Sequence, residues 1–180
     1  MFDVAPSLLI RDAGAADVAA ISAIYAWHVL YGCASFEETP PDATEMQARL
    51  FKVQQAEMPY LVAEQAGRII GFSYASPYRP RPAYRYSVEE SIYLAHDAAG
   101  RGVGSALLAA LIARCEQGPW QQMLAVIGNG EQNPGSLKLH LKLGFRQVGI
   151  LKGVGFKHGA WRDTLIMQRT LASATGAAEA

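Results

Sequence analysis

A glycine turn between two segments of different periodicity constrains the fold of this chain most. Residues 84–95 alternate between two faces, as the side chains of a β-strand do. The turn, GRGVG at 100–104, then opens a helical stripe, and residues 123–127 form the continuous apolar run of a strand buried on both sides. The stripe consists of Leu107, Leu108, Leu111 and Ile112. Strand, turn, helix and strand make a βαβ unit, so the two strands should be parallel.

The segment before this unit predicts a strand and two helices. We expect a strand at 8–11, followed by a helix that begins near Val18 and ends at Gly32. Asp42 or Thr44 can cap a second helix. The apolar side chains predicted to be buried on one face of that helix are those of Met46, Leu50, Phe51 and Val53.

Two hairpins are also predicted. Residues 60–64 and 68–74 are strand-like runs that flank a turn, and 145–156 and 161–169 form a second pair near the end of the chain. Residues 77–85, within the segment SPYRPRPAYR at 76–85, contain three prolines and are predicted to be a loop.

Residues 136–143 fit two structures. Four leucines alternate there, which favours a strand by periodicity alone: Leu137, Leu139, Leu141 and Leu143. However, Asn133 and Pro134 are a good cap and first-turn proline, and Gly144 is a good helix stop. We therefore predict a helix.

Length and composition exclude several classes of protein. The 180 residues fit one domain, which we place at 1–170, with a flexible alanine-rich tail at 171–180. Equal numbers of basic and acidic residues argue against broad capture of nucleic acid or acidic membranes. Cys33 and Cys115 form no CxxC pair and the histidines lack metal-ligand spacing, so we expect a reducing compartment and no metal. Without a signal-peptide pattern or an apolar run near ~18 residues, the expected location is the cytoplasm.

The glycine turn also predicts an anion site. Backbone N–H groups at the start of a helix lack intrahelical acceptors and carry partial positive charge, so phosphates bind there. No Gly-Lys-Ser/Thr follows, which excludes a nucleotide P-loop. The turn is not a good dinucleotide fingerprint either, because that motif follows the first strand of its unit rather than a mid-chain meander.

The segment SIYLAHDAAGRGVGSALLAALI at 91–112 resembles motif A of the GNAT superfamily of N-acetyltransferases, in which a glycine turn holds the pyrophosphate of acetyl-CoA. The first polar position of that turn is Ala99 here, so one side chain near the phosphates is missing. NPGSLKLHLKLGF at 133–145 resembles motif B, whose asparagine contacts the pantetheine arm. The resemblance implies acetyl-CoA as cosubstrate, bound by Ile92, Tyr93, Leu94, Gly100, Arg101, Gly102, Val103, Gly104, Ser105, Asn133 and Ser136.

Two further segments, YRYSVEESIYL at 84–94 and GFKHGAWRD at 155–163, are similar to the phosphinothricin acetyltransferase and methionine sulfoximine acetyltransferase group. The likeness spans about residues 7–170. It implies acetyl transfer to the α-amine of a small amino-acid-like substrate, and a homodimer. It also implies an α/β GNAT fold, a mixed and mostly antiparallel twisted sheet of six or seven strands with helices on both faces. The strands ending near Leu94 and Ile127 should separate to admit the thioester.

Glu89 matches the proposed general base of this group. A protonated amine cannot attack a thioester, so a base must remove its proton directly or through water. Alternation places Glu89 on the face of Arg85 and Ser91, toward the expected substrate, and Glu90 on the other face, although a β-bulge would exchange them. The alternative to a catalytic role is that Glu89 is an ordinary charged residue on a solvated strand face.

His140 stands where many superfamily members have a tyrosine. The leaving thiolate has an ordinary pKa of about 8.5, and a histidine with a pKa near 6.5 can protonate it or donate a hydrogen bond to it. Alternatively, His140 only covers the edge of the core. Neither cysteine lies in a motif, so we expect direct transfer without a covalent enzyme intermediate.

Four residues are candidates for substrate binding. Arg79 and Arg85 match arginines of relatives near the expected substrate mouth, and their guanidinium groups suit capture of a carboxylate or phosphinate. The alternative is a solvated basic loop. Phe36 and Glu38 match a segment that closes over the substrate.

Three other functions share parts of this pattern. A GNAT enzyme acting on a protein N-terminus or another amine, such as a polyamine, would keep the CoA motifs, although the arginines speak against polyamines. A non-catalytic acyl-CoA-binding sensor would keep the glycine turn; Ala99 favours it slightly and Glu89 disfavours it. A nucleotide-binding regulatory protein is the third.

Overall fold

The structure, a computed structural model, describes residues 7–172. Seven strands form one sheet in the order β1-β2-β3-β4-β5-β7-β6. The strands are β1 (Leu8–Asp12), β2 (Tyr60–Gln65), β3 (Arg68–Pro77), β4 (Ser87–Leu94), β5 (Gln122–Gly128), β6 (Arg146–Lys157) and β7 (Ala160–Thr170). The α-helices are α1 (Val18–Tyr31), α2 (Ala43–Gln55), α3 (Val103–Glu116) and α4 (Pro134–Lys142).

The sheet is mixed, as predicted. β4 and β5 pair in parallel, and every other neighbouring pair of these strands is antiparallel. The parallel pairing starts at Ser87↔Gln122 and stops at Glu90↔Ala125, whereas β4 stays paired with β3 as far as Leu94. The predicted separation of the two strands is therefore present, and it begins directly after Glu90.

Helices cover both faces of the sheet. α1 and α2 pack together over β2, β3 and β4, and α3 packs on the other face of the same strands. Under α1 and α2 lies an aromatic cluster in which Phe72 stacks on Tyr60 and Tyr93, with ring centroids 5.9 and 5.3 Å apart. The edge of the Tyr25 ring meets Tyr93 at 5.0 Å. This face of the sheet therefore presents phenol and phenyl rings to the helices.

One predicted member of the α2 stripe is wrong. Asp42 caps the helix, accepting a hydrogen bond from the Glu45 N–H at 2.8 Å, and Met46 and Leu50 are buried as expected. Phe51 is 57% exposed. Each helical residue turns the chain by about 100°, so Phe51 points well away from the side that Met46 and Leu50 share.

The segment at 136–143 is a helix, as the cap residues predict. The Asn133 side chain accepts a hydrogen bond from the Ser136 N–H at 3.3 Å, and Pro134 is the first residue of α4. Gly144 ends the helix with φ +82°, a left-handed conformation that glycine adopts without strain. Local capping therefore decides the structure where the alternation of leucines is misleading.

The predicted tail at 171–180 lies outside the described residues except for its first two. Leu171 is buried, and its N–H donates to the Gln121 carbonyl at 2.9 Å. Packing thus continues one residue past the predicted end of the domain. Among the described residues, no helix is both long and apolar enough to span a membrane.

Candidate active site

A narrow slot of about 50 Å³ opens where β4 and β5 separate. Its walls are residues 90–93 of β4 and 126–128 of β5, and Asn133 and Ser136 at the start of α4 close one end. Four of the residues predicted to bind the cofactor therefore meet at this slot: Ile92, Tyr93, Asn133 and Ser136. Leu94 follows directly, and its carbonyl accepts a hydrogen bond from His28 Nε2 at 2.8 Å, which ties β4 to α1.

The glycine turn leads into the start of α3. Gly100 and Gly102 have φ of +75° and +82°, and Val103 begins the helix. Gly104 is buried where a Cβ would lie 3.3 Å from Leu139, so a side chain there would push α3 away from α4. The unpaired N–H groups of the first helical turn, which includes Ser105, can hold phosphates.

Arg101 is the charged side chain of the turn. It is exposed, and its Nη2 donates to Gln65 Oε1 at 2.7 Å. The guanidinium therefore leans toward β2, so a bound phosphate must be held mainly by the backbone of the turn or draw Arg101 away from Gln65.

Glu89 stands on the α1 and α2 face of β4, directly before Glu90, the first residue of β4 that lines the slot. The register between β3 and β4 is continuous from Val88 to Leu94, so no bulge exchanges the two glutamates. Glu89 is half-buried opposite Ser76. Burial raises the pKa of the Glu89 carboxyl group, and the charge of Glu90 raises it further. A carboxylate with a raised pKa is a better proton acceptor than an ordinary glutamate.

Glu90 faces the other way and meets His140. His140 is 1% exposed, and its Nε2 lies 2.8 Å from Glu90 Oε1. Its Nδ1 lies 2.7 Å from the Ser136 carbonyl oxygen. Burial disfavours the charged ring, but the hydrogen bond and charge of Glu90 and the Ser136 carbonyl outweigh it and raise the pKa of His140.

Direct proton donation from His140 to the thiolate stays a prediction, and the contacts of the ring favour a different role. Both ring nitrogens already bond protein groups, and the ring does not line the slot. Glu89 and His140, the two predicted catalytic residues, lie on opposite sides of β4. The sequence predicted that His140 lies near the slot, but it could not show that its Nε2 bonds Glu90.

A larger cavity, about 530 Å³, lies between α2 and β3 on the Glu89 side. Ser76, the β3 partner of Glu89, lines it. The other lining residues include aromatic and basic side chains: Tyr25, Tyr60, Phe72, Tyr74, Tyr78, Arg49, Lys52 and Arg79. Such a lining suits an anionic small molecule with an apolar body.

The two predicted arginines differ in position. Arg79 lines this cavity, with its guanidinium carbon 5.2 Å from the centroid of the Tyr78 ring. Arg85 stacks on Tyr86 at 4.6 Å and donates to the Pro82 carbonyl at 3.2 Å, and it does not line the cavity. Arg79 is thus the better placed of the two for an anion in this cavity.

The loop after α1 is fixed by contacts that the sequence did not reveal. Glu37, rather than the exposed Glu38, accepts hydrogen bonds from Tyr25 and Arg49, at 2.8 and 2.6 Å. Lys157 is buried and donates to the Ser35 carbonyl at 2.6 Å. These partners are distant in sequence, so no local pattern could identify them.

Phe36, in the same loop, packs against β5 and β6. Its ring occupies the space that a Cβ at Gly155 would need, and it lies close to Gly128. Phe36 therefore holds the loop across the C-terminal half of the sheet, close to Ala34, which lines the slot.

Residues 7–172, with the side chain of Glu131 left out, contain no group of three or more side chains that could hold a metal ion.

Comparison with known proteins identifies the fold. A family model described as "Acetyltransferase (GNAT) domain" matches residues 10–166.

Three relatives resemble the chain over most of its length. A phosphinothricin N-acetyltransferase of Alcaligenes faecalis is 58% identical over 86% of this chain and 78% of its own. An L-methionine sulfoximine/L-methionine sulfone acetyltransferase of Pseudomonas aeruginosa is 39% identical over 92% of this chain and 95% of its own. The crystal structure of a phosphinothricin acetyltransferase from Sinorhizobium meliloti in complex with acetyl-CoA superposes with a TM-score of 0.89, at 46% identity, covering 96% and 93% of the two chains.

Proposed function

Because this chain belongs to the GNAT acetyltransferase family, we propose that it transfers the acetyl group of acetyl-CoA to the α-amine of a small amino-acid-like substrate. The predicted fold and the predicted N-acetyltransferase class are confirmed. Phosphinothricin and methionine sulfoximine are the first candidate substrates, since relatives named for them match most of the chain.

The position of Glu89 is the observation that carries this proposal. Glu89 directly precedes Glu90, which lines the slot where a thioester can enter, and it pairs with Ser76, which lines the same cavity as Arg79. Its raised pKa suits removal of a proton from a substrate ammonium group. The free amine then attacks the thioester carbonyl directly, and backbone N–H groups of residues 92–94 are candidates to stabilise the oxyanion.

Acetyl-CoA would be held at two places that its chemistry suits. The N–H groups of the glycine turn and the first turn of α3 would bind the pyrophosphate, with Arg101 nearby. The edges of β4 and β5 that face the slot would bind the amides of the pantetheine arm, together with Asn133 and Ser136. This arrangement directs the thioester toward Glu89.

A thiol-release assay with acetyl-CoA tests the function. We expect free CoA to appear with phosphinothricin or methionine sulfoximine and not without an amine acceptor. The panel should include common amino acids, a polyamine and a peptide with a free N-terminus. Turnover of the peptide alone would replace the amino-acid substrate with a protein N-terminus.

Acetyl-CoA should stabilise the protein against heat. Ligand at 100 times its Kd contributes about 2.7 kcal/mol, because it binds the native state and not the unfolded chain. For a chain of this size that corresponds to a rise in Tm of roughly 5–10 °C. Differential scanning fluorimetry measures it, with adenosine alone as the control. No shift with either acetyl-CoA or CoA would remove the cosubstrate.

We also propose that the protein forms a homodimer. The hairpin of β6 and β7 exposes several large apolar side chains, which a second copy could cover. They are Val148, Leu151, Val154, Phe156 and Trp161. Sedimentation velocity tests the oligomeric state. Cytoplasmic location, the domain boundary at 170, and the absence of nucleic-acid and membrane partners stay predictions.

A further inference from the structure

The buried pair of Glu90 and His140 holds one proton that the base mechanism does not use. A carbonyl oxygen can only accept, so His140 Nδ1 carries the hydrogen that it donates to Ser136. The bond between Nε2 and Glu90 Oε1, at 2.8 Å, then needs a second proton. Either an imidazolium donates it to a carboxylate, or a carboxylic acid donates it to a neutral ring.

The pair has one atom with spare bonding capacity. Glu90 Oε2 is buried and has no hydrogen-bond partner among residues 7–172. Glu90 lines the slot, whereas His140 does not. A buried carboxylate oxygen without a partner is costly, and because Glu90 lines the slot, this oxygen points to a donor that arrives with a ligand.

We propose that Glu90, rather than His140, contacts the sulfur of CoA and delivers the proton of the pair to it. This inference rests on the proposed function, because it requires acetyl-CoA in the slot. His140 acts through Glu90 as a positioning residue and as the source of the proton.

The proton balance is as follows. Glu89 takes one proton from the substrate ammonium, and the tetrahedral adduct loses a second nitrogen proton to solvent. When the C–S bond breaks, sulfur keeps both bonding electrons and takes, through Glu90, the proton that Glu90 and His140 Nε2 share. CoA leaves as the thiol, and His140 is left neutral beside ionised Glu90. One of the two protons from nitrogen restores the pair, and the other stays in solvent.

The remaining titratable groups near Glu90 do not compete for this role. Tyr93 lies on β4 and Cys115 on α3, and burial raises the pKa of both, to about 12 for the thiol. Both therefore hold their protons near neutral pH. Glu89 faces the opposite side of the strand.

Glu90→Gln tests the proposal. The glutamine amide can still donate to neutral His140, so the pair keeps its shape but loses its transferable proton. We expect kcat to fall about 100-fold, the lower range for loss of an acid catalyst, and the fall of activity at high pH to disappear. The control is Glu116→Gln, which changes a partly buried carboxylate at the end of α3. It should keep the wild-type kcat and the fall of activity at high pH.

Binding measurements separate a contact to sulfur from a general effect on the slot. Isothermal titration should show CoA binding Glu90→Gln roughly three- to tenfold more weakly than the wild type, because charge-assisted hydrogen bonds are stronger than neutral ones. Desulfo-CoA, which lacks the thiol, should bind both proteins equally. Equal weakening of both ligands, or unchanged kcat and pH profile, would overturn the proposal. Failure of the wild type to bind either ligand would instead remove the proposed function.

The proposal can also be tested on the wild-type protein, through the NMR signal of His140 Nε2. Nitrogen NMR should detect a change at His140 Nε2 when CoA is added and a smaller change with desulfo-CoA. Identical spectra in the two complexes would also overturn the proposal.

Discussion

Glu89→Gln is expected to lower kcat by about 10²–10⁴-fold while leaving acetyl-CoA affinity nearly unchanged. Glutamine fills the same space opposite Ser76 but cannot accept a proton from the ammonium group. The loss should shrink as pH rises, because more of the substrate amine is then free without a base. Steady-state kinetics across pH, with isothermal titration of acetyl-CoA, measure both effects.

The pH profile of the wild type provides a second check on Glu89. Its activity needs the ionised carboxylate, and the raised pKa keeps that group protonated to higher pH than an ordinary glutamate, near 4.3. The rise of kcat/KM with pH should therefore have its midpoint above that value. In Glu89→Gln this rise should be absent, and activity should increase only at the higher pH where the substrate amine loses its proton without a base. Glu64→Gln, a half-buried carboxylate on β2, should leave the profile unchanged. A silent Glu89→Gln would assign the base elsewhere.

Arg79→Gln is expected to lower kcat/KM roughly ten- to hundredfold. Hydrogen bonds to charged groups contribute about 1.5–3 kcal/mol, and each 1.36 kcal/mol is tenfold. An anion held by Arg79 would also orient the amine near Glu89. Arg79→Lys keeps the charge but loses the planar pair of donors, so it should recover only part of the activity.

Variants of neighbouring arginines and a masked substrate test whether the effect is specific to Arg79. Arg85→Gln should have a smaller effect, since Arg85 stacks on Tyr86 outside the cavity. Arg81→Gln, in the same loop, should stay within about twofold of the wild type, as surface substitutions usually do. A substrate whose carboxylate is masked as an amide should be poor for the wild type and insensitive to Arg79. Equal turnover of acid and amide would contradict an anion clamp.

Local patterns in the sequence were sufficient for much of the fold. The glycine turn predicted the βαβ unit, and caps at Asn133 and Gly144 predicted α4 against a misleading alternation. Alternation also predicted the faces of Glu89 and Glu90, because β4 runs without a bulge against β3. These features depend on neighbours within a few residues, so a single sequence carries them.

Contacts between distant segments could not be predicted in the same way. His140 and Glu90 are 50 residues apart, and Lys157 and Ser35 are 122 apart. Each pairing depends on how the sheet brings its elements together, and no spacing rule encodes it. The contact of His140 with Glu90 was therefore beyond the reach of the sequence, and the catalytic role of His140 stays a prediction.

The short parallel contact between β4 and β5 divides the sheet into two panels. Past Glu90 and Ala125, each strand turns an unpaired edge toward the other across the slot. A pantetheine arm that bonded both edges, as proposed, would complete the sheet as a further strand does and would join the two panels mechanically. Amide hydrogens at 91–94 and 126–128 should then exchange with solvent more slowly, and the panels should unfold as one cooperative unit only when the cosubstrate is bound.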